Sequence, residues 1–272
     1  MAGDRDGALV TLLSDLGIRD TYVGVMKAVI LSIYPEARIV DLCHEISPQD
    51  IQQAAFLLDT AWGYCPEGTV HVVVVDPGVG SERRVLAVEA RGQRFIAPDN
   101  GVLTYILAGA REFRAYSVER SEHLLPNVSQ TFHGRDILAP VAAAVARGLA
   151  LEELGPEITG PVVRFPVSRP VMNEGELVGH VIHVDRFGNL VTDLTETDVL
   201  TWQHEVGADS FVIRVGDSVI DEIRMAYAGA NPGELLAIYG SSGRMEVSLN
   251  LGSAAECLRL GTGAIVILEA HG

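Results

Sequence analysis

The chain has 272 residues, 48% of them hydrophobic, and a formal net charge of −16. That length suits one large domain or two modest ones, and the apolar content supplies a packed core, which excludes a wholly disordered chain. The charge argues against a nucleic-acid partner, whose phosphates require a basic surface, and leaves a cationic ligand unopposed. In chain order, residues 8–13 read as a first strand ending at Ser14-Asp15-Leu16-Gly17. Residues 20–34 carry Val23, Met26, Val29, Ile30 and Ile33 at helical spacing, and Pro35 stops that helix. A second strand over 38–42, a second helix over 48–64 and a third strand over 69–75 follow. The run Val72-Val73-Val74-Val75 has no polar alternation, the mark of a strand buried on both faces. Strands alternating with helices imply a parallel sheet, whose ligands bind outside the carboxyl ends of its strands.

Residues 84–90 and 94–97 read as a strand pair turning at Arg91-Gly92-Gln93, and 101–109 and 135–148 as helices, the second starting near Asp136. Gly155-Pro156, Gly160-Pro161, Pro166 and Pro170 break regular structure and mark a linker. Beyond it the pattern is mostly β, with strands expected over 177–184, 210–215, 235–239, 245–249 and 264–269 and a short helix over 253–258. The expected fold is an N-terminal α/β domain with a mostly parallel central sheet (1–165), then a smaller β-rich, barrel-like domain (166–272). Cys43, Cys65 and Cys257 form no CxxC pair, residues 1–7 do not resemble a signal peptide, and no apolar run approaches the roughly 20 residues of a membrane span. A cytoplasmic location is expected.

Six segments offer chemistry, each with a plain structural alternative. Asp15 can accept two hydrogen bonds from a ribose diol, or cap the following helix. Asp76, with Arg83 and Arg84 beyond Pro77-Gly78-Val79-Gly80, is a carboxylate oriented by a guanidinium, or a structural ion pair. Asp99-Asn100 reads as a turn and cap. His133, beside Gly134, suits proton transfer, and its spacing to Asp136 also suits a metal; the alternative is a satisfied structural histidine. Asp185 to Asn189 offers an aromatic plate, Phe187, and an amide for a heterocycle, or simply a β-turn with Phe187 in the core. Gly240-Ser241-Ser242-Gly243 exposes backbone groups able to hold an amino-acid head group, or is a hairpin turn.

In this order and at these spacings the segments resemble the S-adenosylmethionine hydroxide adenosyltransferase family, relatives of the fluorinase and chlorinase enzymes. The resemblance runs from Ser14-Asp15-Leu16-Gly17 through Ile39-Val40-Asp41, His44-Glu45-Ile46, Asp76-Pro77-Gly78-Val79-Gly80, Ala97-Pro98-Asp99-Asn100-Gly101, Thr131 to Asp136 and Phe187-Gly188-Asn189 to Ser242-Gly243, Glu246 and Asn250. It implies a catalytic triad of Asp76, Arg83 and His133 and a ribose contact at Asp15. It also implies adenosine contacts around Phe132 and Phe187, and recognition of the methionine part by Asp185, Asn189 and the Ser241/Ser242 turn. The implied reaction is hydrolysis of S-adenosyl-L-methionine to adenosine and L-methionine by activated water, with no metal and no cofactor. The implied assembly is a homotrimer with each site at a subunit interface. The halogenating relatives lack the triad, and the fluorinase carries an extra loop for which the Gly80–Thr131 interval is too short. Two alternatives stand beside this reading: a metal-dependent hydrolase using Asp15, Asp76, Asp99, His133 and Asp136, and a non-catalytic adenosine or S-adenosylmethionine binding protein.

Overall fold

A computed structural model describes residues 7–173 and 175–270. It divides into two compact units, Met1–Pro166 and Val167–Gly272. The first contains β1 (Leu9–Ser14), α1 (Tyr22–Ile33), β2 (Arg38–Cys43), α2 (Ile51–Ala61), β3 (Val70–Val74), β4 (Val85–Ala90), β5 (Gln93–Pro98), α3 (Thr104–Ala108), β6 (Phe113–Ser117) and α4 (Ala139–Ala146). Its six strands lie in the order β2-β1-β3-β5-β4-β6. The pairs β1–β2, β1–β3 and β3–β5 are parallel, whereas β4 runs antiparallel to both β5 and β6.

The unbroken valine run behaves as its pattern implies. Val72 and Val74 pack with Met26 and Ile30 of α1 and Val141 and Ala142 of α4. Val73 and Val75 face the opposite layer, with Ala54 and Leu58 of α2 and Ile106 of α3. Helices thus cover both faces, and no residue of β3 reaches solvent. One polar chain crosses this core. His71 is fully buried and stacks on Phe95 at 4.9 Å. Its Nε2–H donates to Gln93 Oε1, so Nδ1 accepts from the Thr11 hydroxyl at 2.7 Å. Gln93 passes its own amide protons to the carbonyls of Trp62 and Cys65 at 3.1 and 3.2 Å. Burial lowers the His71 pKa, and the neutral ring satisfies every partner.

Three helices differ from the sequence expectation. The helix expected over 48–64 begins only at Ile51, after Gln49 in the left-handed region, and its last three residues, Trp62–Tyr64, wind as a 3₁₀ turn. The helix expected over 101–109 shrinks to Thr104–Ala108, because residues 101–103 form a turn in which Gly101, at φ +102°, accepts from both the amide and the hydroxyl of Thr104. The helix expected over 135–148 opens with a π turn, Gly134–Leu138, before α4. Pro140 explains it. Proline has no N–H to give the carbonyl four residues back, and its ring crowds that carbonyl. That carbonyl belongs to Asp136, and Leu125 N–H takes it instead at 3.0 Å.

The second unit contains β7 (Val171–Asn173), β8 (Glu176–Val184), β9 (Leu190–Thr195), α5 (Glu196–Val206), β10 (Phe211–Val215), β11 (Ser218–Ile220), β12 (Ile223–Arg224), β13 (Leu235–Tyr239), β14 (Arg244–Leu249), α6 (Ala254–Leu258) and β15 (Ile265–Ala270). Its sheet is nearly closed and barrel-like, ordered β11-β10-β15-β8-β9-β14-β13-β12 with β7 added beside β8. The inward residues Leu177, Val181, Leu190, Met245, Val247 and Val266 fill it around the fully buried Trp202 of α5. The sequence pattern missed β6, β7, β9, β11, β12 and α5. Helix α5 buries only Val199 and Trp202, too narrow a stripe to show helical periodicity. Its signal lay in its ends, where Thr195 and Asp198 form a capping box and Gly207 closes it in the left-handed region.

Candidate active site

The parallel arrangement of β1, β3 and β5 brings three chain segments to one edge of the sheet: Ser14-Asp15, Val75-Asp76 and Asp99-Asn100. Backbone and amide bonds tie them together. Asp15 N–H donates to Val74 O at 3.4 Å, and Asn100 Nδ2 donates to Val75 O at 2.8 Å.

After Asp76 the chain folds back on itself. Val79 N–H bonds Asp76 O, and Ser81 N–H bonds Gly78 O. Gly80 sits at φ +77°, and a Cβ there would overlap the carbonyl of Gln130, so only glycine lets this turn approach the segment preceding His133. The turn returns Arg83 onto Asp76. Nε donates to Oδ1 at 2.7 Å and Nη2 donates to Oδ2, in a pair whose side chains are only 10% and 8% exposed. The same Nη2 contacts His133 Nδ1 at 2.9 Å. A guanidinium has no lone pair to offer, so Nδ1 is the acceptor and the ring proton lies on Nε2. Burial and then Arg83 push the His133 pKa below its ordinary value, outweighing the opposite pull of Asp76 and Asp136. Asp76, Arg83 and His133 therefore form one connected group, with Arg83 in the middle.

The neighbouring carboxylates have separate duties. Asp99 accepts from Arg84 Nε at 2.8 Å and from Val163 N–H at 2.8 Å, which fastens the 161–163 segment to the sheet. Asp136 is fully buried and accepts from Arg135 and from Ser129 N–H. Burial raises its pKa, but the Arg135 and Ser129 bonds overcome that and leave it lowered. Arg135 also lies over the Phe132 ring at 5.3 Å, while Tyr22 meets that ring edge-on at 5.1 Å. Among the described residues no group of three or more His, Cys, Asp or Glu stands together as a metal would require. Of the five residues of the metal alternative, Asp76 and His133 meet through Arg83, while Asp15, Asp99 and Asp136 each have their own partners.

Asp15 has a partner that the sequence did not suggest. Gln49 N–H donates to its Oδ2 at 2.8 Å, with Gln49 held at φ +68°. A non-glycine residue in that region carries backbone strain, and no sequence pattern announces it. Gln49→Gly keeps the N–H and removes the strain. We expect unchanged ligand affinity and a gain of up to about 1 kcal/mol in chemical denaturation; a loss of stability would show that the side chain holds the loop. Ser14 is braced as well. Its hydroxyl meets His44 Nδ1 at 2.7 Å, His44 Nε2 lies 3.0 Å from Asp41, and Lys27 bonds Asp41 at 2.5 Å. For Asp41, burial acts to raise the pKa, but Lys27 and His44 together bring it below the ordinary value.

The other candidate residues belong to the second unit. Phe187 is 76% exposed, which rules out the core role that its plain alternative gave it. Asp185 Oδ1 accepts from the amides of Phe187 and Asn189 at 2.9 and 2.8 Å, and its Oδ2 accepts from Asn189 Nδ2 at 2.8 Å. Gly188, at φ +80°, completes this turn by donating to Asp185 O at 3.0 Å. Asn189 is buried, and among the described residues its side-chain carbonyl receives no hydrogen bond. Ser241 and Ser242 are exposed at the tip of the β13–β14 turn, closed by Gly240 N–H to Arg244 O and Gly243 N–H to Gly240 O. An open cavity of about 800 Å³ is lined by Asp185, Phe187, Asn189 and Ser241, and also by Tyr227 and Glu246; Ser242 is not part of its wall.

The chain matches models of the SAM hydroxide adenosyltransferase N-terminal domain over residues 10–155 and of the C-terminal domain over 179–267. An (R)-S-adenosyl-L-methionine hydrolase of Thermus thermophilus is 39% identical over 267 residues, covering 95% of this chain and 98% of that protein. A fluorinase of Nocardia brasiliensis is 30% identical, covering 95% of each. An uncharacterized conserved protein from Thermotoga maritima superposes with a TM-score of 0.88 at 36% identity, covering 96% of this chain and 99% of that one.

Proposed function

This chain belongs to the SAM hydroxide adenosyltransferase family, and on that premise we propose that it is an enzyme that hydrolyses S-adenosyl-L-methionine to adenosine and L-methionine. The observation that carries the reading at the level of chemistry is the Arg83 guanidinium, shared between Asp76 and His133 at the end of β3. Water attacks the 5′ carbon in line with the sulfonium, which leaves as a neutral thioether, and one proton is released. Holding water and substrate in that geometry supplies a large proximity term, and charge is consumed on the way to the transition state, so a dry pocket favours it.

The hydrogen-bond directions suggest how the three residues divide the work. With Nδ1 committed to Arg83, the neutral His133 ring offers a donor, Nε2–H, rather than a base. Asp76 keeps acceptor capacity beyond the two bonds that Arg83 donates to it. We therefore assign Asp76 to accept the proton of the attacking water. His133 and Arg83 orient that water and stabilise the developing hydroxide.

Protonating His133 would place a proton on Nδ1, against the Arg83 donor. Since its pKa is depressed, kcat/KM should fall on the acid side with an apparent pKa below about 6.5. The stability contribution has the same sense. Below about pH 6.5 the unfolded chain takes up a proton that the native ring still refuses. Stability from this group is thus complete above that pH and is lost as pH falls toward the depressed value. An acid limb centred above about pH 6.5 contradicts the assignment.

The deciding assay is incubation with S-adenosylmethionine, with and without EDTA, following adenosine and methionine. Both products in equal amounts, unaffected by EDTA, support the reading. Turnover abolished by EDTA favours a metal hydrolase, and tight binding without turnover favours a binding module. Water, rather than halide, is the proposed nucleophile; adenosine as the sole nucleoside product in the presence of chloride or fluoride tests it. A homotrimer and a cytoplasmic setting complete the proposal. Light scattering at three times the chain mass tests the first, and the three unpaired cysteines suit the second.

A further inference from the structure

The cavity of the second unit contains a carboxyl group to which the triad and the Asp185 turn assign no role. Glu246 lies on β14, is 8% exposed and lines that cavity. Among the described residues it receives one hydrogen bond, from the Tyr227 hydroxyl to Oε2 at 3.2 Å. Its Oε1 rests against Gly240, where any Cβ would overlap it. Asp185, in the same cavity, is committed differently, since three donors of its own turn occupy its oxygens. An ionised carboxylate has about four acceptor sites. Asp185 therefore has little capacity left, while most of that of Glu246 is unused. A buried carboxylate with a single neutral donor is poorly compensated, and burial together with nearby Asp185 raises the Glu246 pKa despite the Tyr227 bond. A partner with several N–H donors and a positive charge would relieve both deficits. Ile238 and Leu249 line the same cavity and offer apolar contact to the carbon chain carrying such a group.

We propose that Glu246 receives the ammonium group of the amino-acid part of the ligand, and that Asp185 serves by bracing the Phe187-Gly188-Asn189 turn beside it. This deepens the S-adenosylmethionine reading and rests on it.

The test is calorimetric titration of the full chain with L-methionine, with 3-(methylthio)propanoate, which is methionine without its amino group, and with adenosine. The unmodified chain should bind methionine about tenfold or more tightly than the amine-free acid, the size of one charge-assisted hydrogen bond. Glu246→Gln, nearly isosteric, should remove most of that preference and leave adenosine affinity unchanged. It should raise KM for S-adenosylmethionine about tenfold while changing kcat less, a split that mere loosening of the fold would not produce. Gly240→Ala crowds the same carboxyl without altering charge and should move methionine affinity the same way. Unchanged methionine preference in Glu246→Gln, or an unmodified chain that does not distinguish the two acids, overturns the assignment. Turnover of S-adenosylmethionine by the unmodified chain is measured in parallel. Turnover without a Glu246 effect refutes this inference alone, whereas no turnover refutes the function on which it rests.

Discussion

Asp76→Asn is expected to lower turnover of S-adenosylmethionine by about 10²–10⁴-fold, the usual contribution of a positioned proton acceptor, while adenosine binds as before. Asparagine keeps the outline of the side chain and one carbonyl for Arg83, so the turn through Gly80 should survive. What is lost is the second acceptor that makes the Arg83 contact two-pronged, and with it the capacity to take a proton. Alanine would be a poorer probe. It strands a guanidinium whose side chain is only 10% exposed, and breaking such a pair costs about 3–5 kcal/mol of stability. Single-turnover kinetics measure the chemical step, and calorimetry with adenosine confirms an intact site. Near-normal turnover in Asp76→Asn would move the proton acceptor elsewhere and leave Asp76 as a structural partner of Arg83.

Gly188→Ala should cost the second unit about 2–5 kcal/mol, combining a left-handed backbone with steric overlap. At φ +80° an alanine is strained whatever the surrounding space, and its Cβ would overlap Ser253 Oγ and stand 3.0 Å from Ser253 Cα. Ser253 cannot simply rotate away. Its hydroxyl caps α6 by accepting from Glu256 N–H at 3.1 Å, and Ala255 N–H holds Gly188 O at 2.9 Å. Relief must come from the turn itself, which would spoil the three bonds that Asp185 makes there. Chemical denaturation should show the lowered midpoint, and methionine affinity should fall with it. A wild-type midpoint would mean that α6 yields more readily than its hydrogen bonds imply.

The sequence carried information where one local cause dominates. Four consecutive valines can be satisfied only between two apolar layers, and β3 is placed there. Proline and glycine punctuation marked the C-terminal end of α1 and the β13–β14 turn. Much of the candidate site depends on contacts between distant segments, and these leave little local trace. Nothing in Ser47-Pro48-Gln49 says that a glutamine adopts a positive φ to reach a carboxylate 34 positions earlier. The resemblance implied a ligand contact at Asp185, and no local pattern announced the three short-range donors of its own turn that it also accepts. Glu246 belonged to the resemblance but carried no stated role, and the absence of a side chain at Gly240 leaves room for its carboxyl at the cavity wall. Helix α5 escaped because its apolar stripe is two residues wide, although its capping residues were in plain view.

The π turn ahead of α4 has a consequence for the imidazole. One extra residue in a helical turn advances the angular phase of everything before it by about 100°. Helix α4 is locked to the core through Ala139, Val141 and Ala142, so the advance is taken up on the His133 side. The bearing of that ring is therefore tied to a proline seven residues downstream. In this chain the compass setting of a proposed catalytic group is written in helical pitch.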